Sequence, residues 1–126
     1  MPSEVKVVQK VWGVERHYHN DDGYCIKMMI VVPGYQSSMH CHVKKIETFV
    51  VMEGELDLAI EFPSGVTASM IILPGESVTL QPGTWHRFRS ANGKRVVFVE
   101  GSTHDDPLDT VRRNRSGKIR EDSKGG

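Results

Sequence analysis

Glycine and proline break this chain at nearly regular intervals: Gly13, Gly23, Pro33-Gly34, Gly54, residues 63–65, Pro74-Gly75, Pro82-Gly83, Gly93 and Gly101. An amphipathic helix needs roughly 10 to 12 uninterrupted residues to declare a 3.6-residue period, and no stretch here provides one. Between the breaks lie short runs rich in Val, Ile, Met and Phe, the pattern of a small all-β sandwich or barrel with little helix. Residues 24–32 place Ile26, Met28, Ile30 and Val32 on one face of a strand. Leu56, Leu58, Ile60 and Phe62 alternate with Glu55, Asp57 and Glu61, as in a half-buried strand with a wet outer face. Residues 66–73, 77–80, 85–88 and 95–100 supply further strands. Asn92-Gly93 reads as a tight hairpin turn, since both residues tolerate positive φ.

At 126 residues the chain can bury one sizeable core but hardly two. Its 16 basic and 16 acidic side chains cancel, which argues against sequence-independent nucleic-acid binding, where surplus Lys and Arg must displace counterions. No apolar run approaches the roughly 20 residues that span a membrane, and Met1-Pro2-Ser3-Glu4-Val5-Lys6 lacks the apolar core of a secretory signal. With two cysteines, Cys25 and Cys41, a reducing cytoplasm is the expected compartment. From Arg112 onward the sequence is basic and holds one large aliphatic residue, Ile119. The expected division is a barrel over residues 1–111 and a flexible basic tail over 112–126. Val5, Val7 and Val11 share a face of a first strand whose edge could pair with a second copy, so a homodimer is expected.

The histidines give the chain its chemistry. His40 and His42 lie two apart on a strand, on one face, roughly 6 to 7 Å apart along it. Two imidazoles so placed can converge on one ion through bonds of about 2 Å. Glu47 lies at an odd offset and would face the other way in an unbroken strand. If it also binds, residues 43–46 must hold a bulge or loop that reverses the register. His86, after Pro82-Gly83, could supply a fourth ligand from across a barrel. By contrast, His17-Tyr18-His19 sits beside Asn20-Asp21-Asp22-Gly23 without a partner set and reads as a surface loop. Cys41, between two inward histidines, reads as a small buried hydrophobe.

Gly34, His40, His42, Glu47 and Gly54, at their spacings in this chain, match the first motif of the cupin superfamily at every fixed position. A chance match is on the order of 1 in 100,000 on average residue usage. Gly75, Pro82-Gly83 and His86 match the second motif in part, with Gln81 and Ser90 replacing its first proline and final asparagine. The resemblance implies a single cupin barrel, a double-stranded β-helix or jelly roll. It also implies a divalent ion (Mn, Zn, Fe, Co or Ni) held by His40, His42, Glu47 and His86. A narrower resemblance is to cupins that interconvert aldoses and ketoses. Trp12-Gly13, Gly83-Thr84-Trp85-His86-Arg87 and the stretch from Val99 through Arg112 look like the isomerase domain of the fused mannose-6-phosphate isomerase/mannose-1-phosphate guanylyltransferase enzymes. His40-Cys41-His42-Val43-Lys44-Lys45-Ile46-Glu47 is similar to the D-lyxose isomerases, and Lys45 falls on their catalytic lysine.

A metal-dependent isomerase of a small sugar or sugar phosphate follows from that resemblance, of the mannose 6-phosphate/fructose 6-phosphate or lyxose/xylulose type. The cation would chelate oxygens at C1 and C2 and stabilise an enediolate. Lys45, its pKa lowered by the nearby cation, and Glu100, in phase with Val96 and Phe98, are the candidate catalytic residues. Trp85 and Arg87 are candidate substrate contacts, although in a plain strand Arg87 and Arg89 alternate out of phase with His86. An iron-dependent dioxygenase and a non-catalytic metal- or sugar-binding cupin share the ligand set. A polar interior favours the isomerase. An interior lined by Phe49, Met52, Met70, Trp85 and Phe88 alone favours a dioxygenase with an aromatic substrate.

Overall fold

Short strands and the turns and loops between them, Pro-Gly at residues 33–34, 74–75 and 82–83, make up nearly the whole computed structural model, which describes residues 2–120. In chain order they are β1 (Lys6–Lys10), β2 (Gly13–Asn20), β3 (Cys25–Val31), β4 (Tyr35–Gln36), β5 (His40–His42), β6 (Glu47–Glu53), β7 (Leu56–Glu61), β8 (Thr67–Ile72), β9 (Ser77–Leu80), β10 (Trp85–Ser90), β11 (Val96–Ser102), β12 (Thr110–Arg112) and β13 (Gly117–Lys118). A 3-10 turn over Pro107–Asp109 is the helical element among the described residues, and its N-cap Asp106 accepts the Leu108 N–H. The all-β jelly roll expected from the sequence is the fold observed.

Six strands form one sheet in the order β1-β2-β3-β11-β6-β9. In the second sheet β10 lies at the centre, with β7 along one edge and β5 and β4 end to end along the other. Beyond them lie β8 on β7, β12 on β5 and β13 on β4, all antiparallel. The sheets close over an aromatic core. Phe49 and Phe98 lie 4.8 Å apart between ring centroids, Phe88 and Phe98 5.3 Å, and Trp12 meets Phe88 edge-on at 4.9 Å. Each such buried ring contributes about 1.5–3 kcal/mol relative to leaving it in water. Leu56 and Leu58 on β7 extend this core, as their alternation predicts.

Several local expectations differ from the structure. The inward face of β3 carries Cys25, Lys27, Met29 and Val31, and the apolar set at Ile26, Met28, Ile30 and Val32 faces outward. Lys27 stands opposite Glu100 in the β3–β11 pairing, so a polar interior there selects the opposite face. Asn92-Gly93 does form a turn, with Gly93 at φ 73°, but it joins β10 to β11 in different sheets and is not a hairpin. His17 and His19 lie within β2, where they contact Glu15 and Asp21 at 2.8 and 2.7 Å, and not in a loop. Asp57 is buried against Arg89, so the outer face of β7 is not uniformly wet.

Pairing also runs past residue 111. Arg112 pairs with His40, and Gly117 and Lys118 pair with Gln36 and Tyr35. Strand pairing uses main-chain groups, so a segment poor in apolar residues can still line a sheet. The expected tail from residue 121 onward lies outside the described residues.

Candidate metal centre

Strand β5 sits between β10 and β12, and its i, i+2 geometry turns His40 and His42 to one side. His40 stands directly across from His86 on β10. The turn before β10 is fixed to the same place: Gly83, at φ 79°, donates its N–H to the His42 carbonyl at 2.7 Å. A side-chain-bearing residue rarely adopts that φ, which explains glycine there. Residues 43–46 leave strand geometry and carry the chain from the second sheet to the first. This is the interruption Glu47 needs to turn toward the histidines. Asp109 holds this loop, accepting the N–H groups of Lys44 and Lys45 at 2.9 to 3.1 Å.

The ligand atoms of His40, His42 and His86 all lie within 4.8 Å of one another. Glu47 joins them, Oε2 at 3.0 Å from His42 Nε2 and Oε1 at 3.6 Å from His86 Nε2. His40 Nδ1 lies 2.8 Å from the Ser38 carbonyl and His86 Nδ1 2.8 Å from the Thr84 carbonyl. A carbonyl only accepts, so each neutral ring carries its hydrogen on Nδ1 and turns a bare Nε2 inward. Burial, reinforced by His86, pushes the His40 pKa down to about 3, leaving an uncharged ring fit to ligate.

The site's own polar atoms test the fit of a cation. His86 Nε2 is buried without a hydrogen-bond partner, and Glu47 Oε2, buried beside it, has His42 Nε2 at 3.0 Å and the Lys45 ammonium at 3.6 Å. Orphaned buried acceptors cost free energy unless a positive centre satisfies them. Imidazole nitrogens with one carboxylate suit a borderline divalent metal. These residues could hold such an ion.

Beside the cluster lies a buried ionic network. Lys45 Nζ is 3.2 Å from Glu100 Oε2, 2.9 Å from Asp105 Oδ1 and 3.6 Å from Glu47 Oε2. Lys27 Nζ reaches Asp105 Oδ2 at 2.5 Å. Burial works against the Lys45 ammonium, but Glu100, Glu47 and Asp105 outweigh it and hold its pKa above the usual lysine range. A neutral Lys45 amine, expected from a nearby cation, is opposed by these carboxylates. Glu100 is shifted upward as well, but toward its neutral form: burial first, then Glu47, raise its carboxyl above the ordinary range, against the pull of Lys45 and Lys27. Asp105 titrates below its ordinary range, because the two lysines overcome burial.

A carboxyl with a depressed pKa stabilises the fold above its unfolded value, and that contribution fades as pH falls toward the folded one. Asp105→Asn is therefore expected to lower stability at pH 7 by roughly 2–4 kcal/mol, since it leaves two buried ammonium groups underpaired. Its deficit against wild type should shrink below about pH 4. Urea midpoints at pH 7 and pH 3 check this, and an equal deficit at both would contradict it.

His40, His42, Glu47, His86, Lys45 and Glu100 thus come together in one buried place. Trp85 and Arg87 do not join them. They alternate with His86 along β10 and face the other side, where Arg113 lies over the Trp85 ring at 4.0 Å and Arg87 faces Asp57 at 3.7 Å. Lys27 and Asp105 escape the sequence reading. The one cue to Lys27 is a lysine in phase with Cys25, Met29 and Val31. A cleft of about 620 Å³ opens beside Lys45, lined among others by Asp22, Lys44, His104, Asp106 and Asp109.

The family described as "Cupin domain" matches residues 27–101. Among curated proteins, the chain is 29% identical over 114 residues to a D-lyxose ketol-isomerase of Cohnella laeviribosi, covering 73% of this chain and 63% of that protein. It is 29% identical over 126 residues to a D-lyxose/D-mannose isomerase of Thermosediminibacter oceani, covering 82% and 70%. The chain thus spans less than two thirds of the first of these relatives. Among solved structures, an oxalate decarboxylase of Bacillus subtilis superposes with a TM-score of 0.78 at 15% identity, covering 89% of this chain and 31% of that one. The capsular polysaccharide assembling protein CapF of Staphylococcus aureus gives 0.74 at 18%, covering 93% and 32%. These likenesses concern the fold. Among the described residues no helix is long and apolar enough to cross a membrane.

Proposed function

The chain belongs to the cupin domain family, and from that premise we propose that it is a metal-dependent aldose–ketose isomerase acting on a small unphosphorylated sugar. The observation that carries this reading is the buried Lys45–Glu100 pair beside the histidine cluster. His40, His42, His86 and Glu47 would hold a divalent cation, which when bound supplies Lewis acidity toward the C1 and C2 oxygens. Lys45, kept protonated, donates a hydrogen bond to a substrate oxygen and balances its negative charge. Glu100 takes the proton from C2 and returns it to C1, a task suited to a carboxyl with a raised pKa, while Lys45 gives its proton to O1 and takes that of the O2 hydroxyl. The burial of all these side chains excludes bulk water during transfer. The two relatives named as D-lyxose isomerases support the same reaction class.

The charge pattern favours a neutral sugar over a sugar phosphate. Lys45 and Lys27 already face carboxylates, Arg87 and Arg89 face Asp57 on the other side, and Asp22, Asp106 and Asp109 flank the cleft. Lys44 and His104 line the cleft as well, but a phosphate dianion would enter it beside three carboxylates. A dioxygenase would leave the Lys45–Glu100 pair without a task. The interior is not lined by aromatics alone: Phe49 and Phe88 are buried, with Phe49 6.1 Å from His86, but Trp85 faces away, Met52 and Met70 are exposed, and Lys45 and Glu100 lie inside. The reading extends to a homodimer through the edge of β1, where Val7 is exposed, and to a cytoplasmic setting in which the buried thiols of Cys25 and Cys41 stay free.

The test is incubation with D-lyxose, D-mannose and mannose 6-phosphate in the presence of Mn²⁺ or Co²⁺. Ketose should form from the free sugars and more slowly, if at all, from the phosphate. Conversion of the phosphate alone would reverse the assignment of substrate.

A further inference from the structure

The histidines of the cluster do not share the same backing. His40 and His86 each face a main-chain carbonyl, which fixes their tautomer. His42 instead faces a hydroxyl: its Nδ1 lies 3.1 Å from Thr110 Oγ1. A hydroxyl can accept from an Nδ1–H or donate to a bare Nδ1. His42 is also the ring whose Nε2 lies 3.0 Å from Glu47 Oε2, close enough for an Nε2–H to be drawn to that carboxylate. It therefore has two ways to settle, and ligation through Nε2 requires the hydrogen on Nδ1.

Thr110 belongs to β12, whose register sets Thr110 against His42 and Arg112 against His40. Arg112 Nη1 donates to Ser38 Oγ at 2.8 Å, and Ser38 is the residue whose carbonyl faces His40 Nδ1. One short strand, which runs from the end of the expected barrel into the first residue of the expected tail, thus backs two of the three histidines.

We propose that β12 is part of the metal site, with Thr110 and Arg112 acting as positioning residues that hold His42 and His40 in their ligating orientation. This rests on the assignment of His40, His42, His86 and Glu47 as the metal ligands. In the loaded state Thr110 Oγ1 accepts the His42 Nδ1–H. Without that oxygen, Nδ1–H is buried unpaired, and the ring does better by giving an Nε2–H to Glu47. Arg112 restrains Ser38 and, through it, His40. Outer partners of ligating histidines commonly govern metal affinity by about 10- to 100-fold.

The experiment titrates Co²⁺ into the full chain and follows visible absorption and affinity, with no substrate present. Thr110→Val is expected to weaken Co²⁺ about 10-fold or more and to change the absorption band. Thr110→Ser, which keeps the oxygen, should bind like wild type. Arg112→Met should also weaken binding, whereas Val111→Thr, facing away from the cluster, should not. Thermal melts of the metal-free proteins separate a binding defect from unfolding. If Thr110→Val destabilises the apo protein, recovery of affinity by Thr110→Ser still decides the matter. Wild-type affinity and spectrum in both Thr110→Val and Arg112→Met would overturn the proposal while leaving the metal site standing. Absence of Co²⁺ binding by wild type would overturn both.

Discussion

Replacing His86 by alanine is expected to cut affinity for Mn²⁺ or Co²⁺ by more than about 100-fold and to remove measurable isomerase activity, with the fold retained. The magnitude exceeds that of losing an outer partner, because here a ligand itself is removed. Three features converge on this ring. It is 1% exposed, its Nδ1 faces the Thr84 carbonyl, and its Nε2 is a buried atom without a partner. A structural histidine would use both nitrogens. This one uses one and aims the other at His40, His42 and Glu47. Metal analysis after dialysis, with circular dichroism to confirm folding, checks the expectation. Stoichiometric metal in His86→Ala would remove His86 from the ligand set.

The histidine site was legible in the sequence because its spacing is local. His40 and His42 need only the two-residue period of a strand, and Glu47 needs only an interruption that four intervening residues can supply. The fold was legible for a similar reason: Pro-Gly pairs stop strands wherever they fall. What stayed hidden is set by long-range pairing. Lys27 meets Asp105 across 78 residues of chain, and Arg112 meets Ser38 across 74. Nothing near Lys27 announces such a partner. Its neighbours Ile26, Met28 and Ile30 even mark the wrong face of β3 as the buried one. Alternation did warn about Arg87, whose phase opposes His86, and the structure places it against Asp57. Arg112 was obscured because the residues after 111 look too polar to pack, and Thr110 because nothing beside it announces the pairing with β5 that sets it against His42. They pack through main-chain pairing with β5, which composition does not report.

Glu100→Gln carries the second large effect. The amide keeps the shape of the carboxyl but cannot take up and return a proton, so turnover of a free aldose should fall by roughly 10²- to 10⁴-fold. Metal affinity should change far less than turnover, because the Glu100 carboxylate pairs with Lys45, which stands between it and Glu47. The wild-type pH profile should have its acid limb above the ordinary carboxyl range, since burial and Glu47 raise the Glu100 pKa. Activity should rise as pH increases through that value, because the ionised form is the base. Near-wild-type turnover in Glu100→Gln would transfer the proton-carrying role to another group, Lys45 foremost.

Both losses of turnover depend on one claim, that this buried pocket moves a proton at C2 of an aldose. The direct measurement is NMR of D-lyxose and D-mannose incubated in deuterated water with the metal-loaded protein. Ketose should form with deuterium at C1 wherever the proton on Glu100 exchanges with solvent, and aldose re-formed from it should carry deuterium at C2, both abolished in His86→Ala and strongly slowed in Glu100→Gln. Stoichiometric metal with neither ketose formation nor deuterium incorporation on any free aldose would contradict that claim and leave a metal-binding cupin that does not isomerise sugars.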